Sequence, residues 1–286
     1  MHSTFGINTE IDLRDDNNIT TVVDDGTIDT ESYYFTTNVT TGAYDGKCGP
    51  DHPFTKAPSL PDGDESVRFF RTRMTSSLPT SGNSTNEIRR TFRVFGQRKY
   101  HPVLFHCIGG RDRTGLIAFL VEALCGLSVD DIYRDHLAIV FAAQGSMYAE
   151  RVDGYLRVLY STKDGDGNER FAQYGDSLTG RVRAYLEYVG VPAEELAVVT
   201  QSLAGETPDE GLARVNAYES AHRYRTLFYK TGTTVNAAYR VGDDNLYREP
   251  VLAIADHYSS YKLSRTGYRF VGWSAEQDGV RESQWE

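Results

Sequence analysis

The feature that most restricts the fold is a strand signal that runs without a break into a glycine-bearing loop and then a helix signal. Val103-Leu104-Phe105 is a short apolar run of the kind that fills a buried strand. It leads directly into His106-Cys107-Ile108-Gly109-Gly110-Arg111-Asp112-Arg113-Thr114-Gly115. Leu116, Phe119, Leu120, Ala123 and Leu124 then recur at helical spacing, and Gly126 closes that helix. Strand, tight loop and helix in this order predict an α/β domain.

The loop suits one physical task, which is to bind a tetrahedral dianion with a thiolate directly behind its phosphorus. Backbone N–H groups along Ile108, Gly109, Gly110 and Arg111 can converge into an anion nest, and the helix N-terminus adds its dipole. Gly109 and Gly110 permit curvature that side chains would block. Arg113 can hold two equatorial oxygens in its planar fork. The same field favours thiolate over thiol, so Cys107 reads as nucleophile in a first step and leaving group in a second. Thr114 is placed to hydrogen-bond the sulfur, and His106 reads as a residue that orients the loop. The competing reading makes Cys107 a buried structural thiol and Arg113 a surface residue. The flanking strand and helix argue against it.

Breaking a phosphoester also needs a proton for the leaving oxygen. Asp112 is the first candidate, Asp12 the second and Asp15 the third, although Asp15 and Asp16 also suit a solvated turn. Tyr44-Asp45-Gly46 is a further candidate in a segment that otherwise reads as a long loop. Cys48, in the same loop, is either a resolving partner for Cys107 or a plain surface thiol. Cys125 falls on the apolar side of the loop helix and is expected in the core. Arg68, Arg71 and Arg73 fit a basic rim or a solvated face equally well, and His136 reads as an ordinary helix residue. No cluster has metal-ligand spacing, and the route needs no cofactor.

Composition narrows the partners. A net charge of −10 argues against nucleic acid, so an anionic substrate must be met by a local basic pocket. Three cysteines are too few for a disulfide scaffold, no apolar run is long enough to span a membrane, and the first residues do not form a signal peptide.

Elsewhere the chain carries clear punctuation. Thr9-Glu10-Ile11-Asp12-Leu13 and Tyr33-Tyr34-Phe35 are strand candidates. Ile88, Phe92 and Phe95 predict a helix with Gly96 as its C′ residue. Ser128 and Asp131 form a capping box for a helix reaching about Phe141. Val182, Tyr185, Leu186 and Val189 mark another helix, stopped by Gly190, and Pro192 opens the next. The pattern divides the chain into a main domain over 1–203, a polar linker or loose helix over 204–224, and a β-rich module over 225–286.

His106 to Gly115 resembles the HCxxGxDRTG loop of the bacterial branch of the protein tyrosine phosphatases. Thr9-Glu10-Ile11-Asp12-Leu13-Arg14 is similar to that family's early strand, and Asp131 to Leu137 to the stretch after its loop helix. The resemblance covers roughly residues 5–203 and extends to the closing helices around Tyr185–Leu196. It implies a central sheet flanked by helices. The implied substrates are phosphotyrosine proteins, with phosphoserine, phosphothreonine or phosphoinositides accepted by some members. The family pattern carries an Asp at 112, where it acts as acid or holds the loop, but a Lys where this chain has Arg111. The family also carries a segment ahead of its Asp-Leu-Arg strand, and the expectation here is truncation at the N-terminus.

Near the other end, Arg265-Thr266-Gly267-Tyr268-Arg269-Phe270-Val271-Gly272-Trp273 resembles the ending of the Listeria–Bacteroides repeat of internalin-like proteins. It implies a small β-grasp-like module and a place outside the cell or on its surface, with association to the cell wall. A subdomain packed on the main domain is the alternative. Two functions therefore stand: a cysteine-dependent phosphatase, or a silent anion-binding or surface-interaction protein.

Overall fold

The computed structural model describes residue 7 and residues 9–13, 33–36, 77–107, 110–138, 150–231 and 234–243. Three short parallel strands, β1 (Thr9–Asp12), β2 (Tyr33–Thr36) and β3 (Val103–His106), form a sheet in the order β2-β1-β3. The register sets Ile11 opposite both Phe35 and Phe105, and Asp12 opposite both Thr36 and His106. Parallel pairing requires crossovers between strands, and helices supply the cover that such a sheet needs.

Seven α-helices are described. Helix α1 (Asn83–Phe95) buries Ile88, Phe92 and Phe95 as its spacing predicts. Its expected stop works by a different mechanism. Gly96 has φ −72°, so it is not a left-handed cap. A Cβ there would lie 2.5 Å from Cβ of Glu195, and the glycine is needed to let α6 (Ala193–Leu203) come close. Glu195 is itself buried against Arg93, whose Nε donates to its carboxylate at 3.1 Å.

Helix α2 (Arg113–Leu124) follows the loop and is buried on more than one side, with Ile117 inside as well as the predicted face. A helix apolar nearly all round belongs in the centre of a domain, and α2 packs on both α3 (Val129–Ala138) and α5 (Leu178–Tyr188). Ser128 caps the start of α3 with half of the expected box: Asp131 N–H donates to Ser128 Oγ at 3.1 Å, and that hydroxyl donates to Asp131 Oδ2 at 2.7 Å. Residues 139–141, the expected end of α3, lie outside the described residues. Helix α4 (Glu150–Ser161) is not among the expected elements, although Val152, Tyr155, Leu156 and Leu159 follow helical spacing and are all buried.

The stretch expected as a linker or loose helix contains a firmly capped one, α7 (Pro208–Ala221). Thr207 Oγ1 accepts from Glu210 N–H while Glu210 Oε2 accepts from Thr207 N–H at 2.8 Å, and Pro208 supplies the preset first turn. Beyond it, β4 (Arg225–Thr231) and β5 (Thr234–Val241) form an antiparallel hairpin that packs on α4. Ala238, Tyr239 and Val241 join the same core as the loop helix. Residues 244–286, including Val251–Ile254 and Leu263–Trp273, lie outside the described residues. No described helix is long and apolar enough to cross a membrane.

Candidate active site

The site forms at the carboxyl ends of β1 and β3, the edge where open α/β sheets hold their ligands. Strand β3 ends at His106, and Leu13 N–H continues the β1 ladder by donating to the His106 carbonyl at 2.8 Å. Cys107 therefore emerges from a strand end pinned on its β1 side. The thiol is half-buried against the core, and neither Cys107 nor Cys125 is in a disulfide. His106 Nδ1 lies 3.2 Å from the Cys107 carbonyl oxygen, in keeping with an orienting role.

Arg113 is the first residue of α2 and is buried, with 8% of its surface exposed. Its Nη1 donates to the Leu13 carbonyl at 2.8 Å, which ties the helix start to the end of β1. A buried guanidinium is costly without partners, and this bond also sets the plane of the fork. Gly110 sits at φ 69°, the left-handed conformation that a tight anion loop requires.

Arg111 and Asp112 face each other in a two-armed pair, Nε to Oδ1 at 3.3 Å and Nη2 to Oδ2 at 3.2 Å. Asp112 occupies the N-cap position of α2 but makes no side-chain cap, because its carboxylate turns to Arg111. Its backbone oxygen accepts from Leu116 N–H at 3.0 Å and starts the helix. The Thr114 hydroxyl oxygen is buried and has no hydrogen-bond partner among the described residues. A buried hydroxyl left in that state in the first turn after a glycine-bearing loop calls for an account.

One residue gains importance from the structure. A Cβ on Gly115 would stand 3.2 Å from the His136 ring and 3.6 Å from the Gly110 carbonyl oxygen. The first turn of α2 thus folds back under the loop, and His136 of α3, buried as expected of an ordinary helix residue, supports it from behind. Nothing in the sequence pairs Gly115 with His136 except the bare glycine itself. The Leu13 carbonyl is likewise invisible to sequence reading, because a backbone acceptor carries no residue signature.

The register brings the backbone of Asp12 to the same edge. Ile108 and Gly109 of the loop lie outside the described residues, as do Asp15, Asp16, Tyr44, Asp45, Cys48, Arg68, Arg71 and Arg73.

A half-buried cysteine at a strand end, a buried arginine at the following helix start and a polar loop between them form a constellation for phosphoryl transfer to sulfur. The family model described as the tyrosine phosphatase family matches residues 1–205. A tyrosine-protein phosphatase of Nostoc commune is 28% identical over 145 residues, which cover 43% of this chain and 49% of that protein. The triple specificity protein phosphatase PtpB of Mycobacterium tuberculosis is 29% identical over 145 residues, which cover 48% of each chain. The chain thus spans about half the length of the curated relatives it matches. No solved structure matches it.

Proposed function

The chain belongs to the tyrosine phosphatase family, and from that premise we propose that it hydrolyses phosphate monoesters through a cysteinyl-phosphate intermediate on Cys107. The observation that carries this reading is the tether from Arg113 Nη1 to the Leu13 carbonyl, which holds the guanidinium beside the strand end that presents Cys107. In the first step the Cys107 sulfur attacks phosphorus and the ester P–O bond breaks. Arg113 follows the equatorial oxygens into the transition state, and Asp112 gives its proton to the leaving oxygen. In the second step water attacks phosphorus, Asp112 takes a proton from it, and the S–P bond breaks to release inorganic phosphate. In that step the buried Thr114 hydroxyl comes to donate to the departing sulfur, a role supported by its having no hydrogen-bond partner among the described residues.

Phosphotyrosine in proteins is the proposed substrate. Wider acceptance, including phosphoserine, phosphothreonine or phosphoinositides, is proposed from the guanidinium at Arg111 on the loop, and the Mycobacterium relative is named a triple specificity protein phosphatase. Hydrolysis of p-nitrophenyl phosphate by the full chain tests the reading. Cys107→Ser is expected to lose turnover by several orders of magnitude while still binding vanadate. Vanadate binding by an unmutated chain that never releases phosphate would leave only the anion-binding reading.

The motif from Arg265 to Trp273 further supports a repeat-like β module within 225–286 and a place on the bacterial surface or outside the cell. Protease shaving of intact cells should then release peptides of this chain. Their recovery only after lysis would refute the surface assignment.

A further inference from the structure

Asp153 on α4 is a carboxylate that the proposed chemistry does not use, and it is 1% exposed. Two phenols hold it. Tyr133 of α3 donates to Oδ1 at 2.5 Å, and Tyr239 of β5 donates to Oδ2 at 2.6 Å. These short, charge-assisted bonds are of the strong kind, and removing either one loosens the hold on a buried carboxylate. Tyr133 and His136 are three residues apart on one face of α3. His136 is the ring that stands against Gly115, one residue from Thr114 and two from Arg113.

We propose that Asp153 is a positioning residue for the phosphate loop: clamped between Tyr133 and Tyr239, it holds α3 and His136 against Gly115 and makes the hairpin β4–β5 part of the catalytic unit. The hairpin is secured at a second point, which gives the clamp something rigid to pull on. Arg240, next to Tyr239, donates to Asp176 Oδ2 at 2.5 Å and to Glu219 Oε2 at 2.7 Å, and only 4% of its side chain is exposed. Both anchors lie beyond residue 205, where the family model ends, so this support is an addition of the present chain to the matched region. The physical route is continuous: β5 to Asp153, Asp153 to Tyr133, one turn along α3 to His136, and across to Gly115. Packed side chains of this kind transmit a displacement because the interior does not deform smoothly.

The inference rests on Cys107 being the nucleophile, and its test keeps the two separable. In the full chain, Tyr239→Phe and Tyr133→Phe each remove one donor and no ring. Two quantities are measured: kcat and KM for p-nitrophenyl phosphate, and the ratio of Cys107 alkylation rates by iodoacetate and by iodoacetamide. That ratio reads the anion-binding quality of the loop without requiring turnover. Each variant is expected to lower kcat by about tenfold with a smaller change in KM, and to lower the alkylation ratio alongside it. Asp153→Asn keeps the shape and a hydrogen bond to each phenol, and is expected to stay within about threefold of the unmutated chain. Arg225→Gln, on the exposed edge of the same hairpin, should change neither quantity. An unchanged kcat and ratio in both phenylalanine variants overturns the proposal. A loss that merely tracks the unfolded fraction in a melting curve overturns it too. If Tyr239→Phe does not fold, Tyr133→Phe and Asp153→Asn carry the comparison. An unmutated chain without turnover would defeat the proposed function, while the alkylation ratio would still decide this inference.

Discussion

The two cysteines among the described residues, Cys107 and Cys125, are both reduced and differ in where the fold puts them. Cys107 directly follows β3 at the carboxyl edge of the sheet and is half-buried. Cys125 follows the last residue of α2 and is 8% exposed; burial, partly offset by the nearby Arg214 guanidinium, pushes its thiol up to about 11. Thiolate is the reactive form, so at neutral pH Cys125 has almost none of it. Iodoacetamide near neutrality should therefore label Cys107 and spare Cys125 in the folded chain, with the two peptides distinguished by mass spectrometry. Comparable labelling of both would contradict the buried placement of Cys125. The arginines of the loop show the same dependence on placement. Arg113 is bound to a carbonyl across the sheet, whereas Arg111 is engaged with its neighbour Asp112. In the proposed mechanism a substrate phosphate reaches that pair together, so Arg111 has to share its fork between the substrate and the acid.

At the level of elements, the contact between α2 and α3 carries a pH dependence of its own. Glu122 of α2 is partly buried; its carboxyl is pushed up to about 8, first by burial and then by the neighbouring Asp135 carboxylate of α3. The ordinary value of 4.5 applies in the unfolded chain, so between 4.5 and about 8 the folded state binds more protons. Stability from this group is complete below 4.5 and is lost as the pH rises through about 8. Urea midpoints should accordingly fall between about pH 5 and pH 8.5, and Glu122→Gln should flatten that slope. A variant whose slope matches the unmutated chain would assign the effect to other groups. The same two helices carry Gly115 and His136, so their separation bears on the loop as well as on stability.

For the molecule as a whole, the informative element is the hairpin. It shares a core with α2, and Tyr239 and Arg240 reach acceptors on α4, on α7 and in the loop before α5. An element tied in this way opens only when the domain opens. Amide exchange in β4–β5 is expected to show protection close to that of α2 in the same sample. Exchange of the hairpin at a much lower opening energy would mean that it unfolds as a separate unit. Charge at this scale is consistent with a local rather than global attraction for substrate. The chain carries −10 overall, yet places Arg111 and Arg113 within three residues at one sheet edge.

The sequence alone determined the strand–loop–helix unit that carries Cys107 and Arg113, and the helices around Phe92, Leu120 and Tyr185. Their signals are local: apolar spacing, a glycine stop, a capping pair. Helices α4 and α7 carried local signals too, Val152 to Leu159 by spacing and Thr207 to Glu210 by capping, and were legible in principle. Tertiary structure decided the rest. The Leu13 carbonyl that holds Arg113 is 100 residues away, Tyr239 meets Asp153 across 86, and Gly96 is bare because of Glu195. Hydrogen-bond partners of that kind depend on which surfaces the packed elements bring together, and residue spacing along the chain does not encode them. The motif therefore singled out Cys107, while the packing behind it set what holds that residue in place.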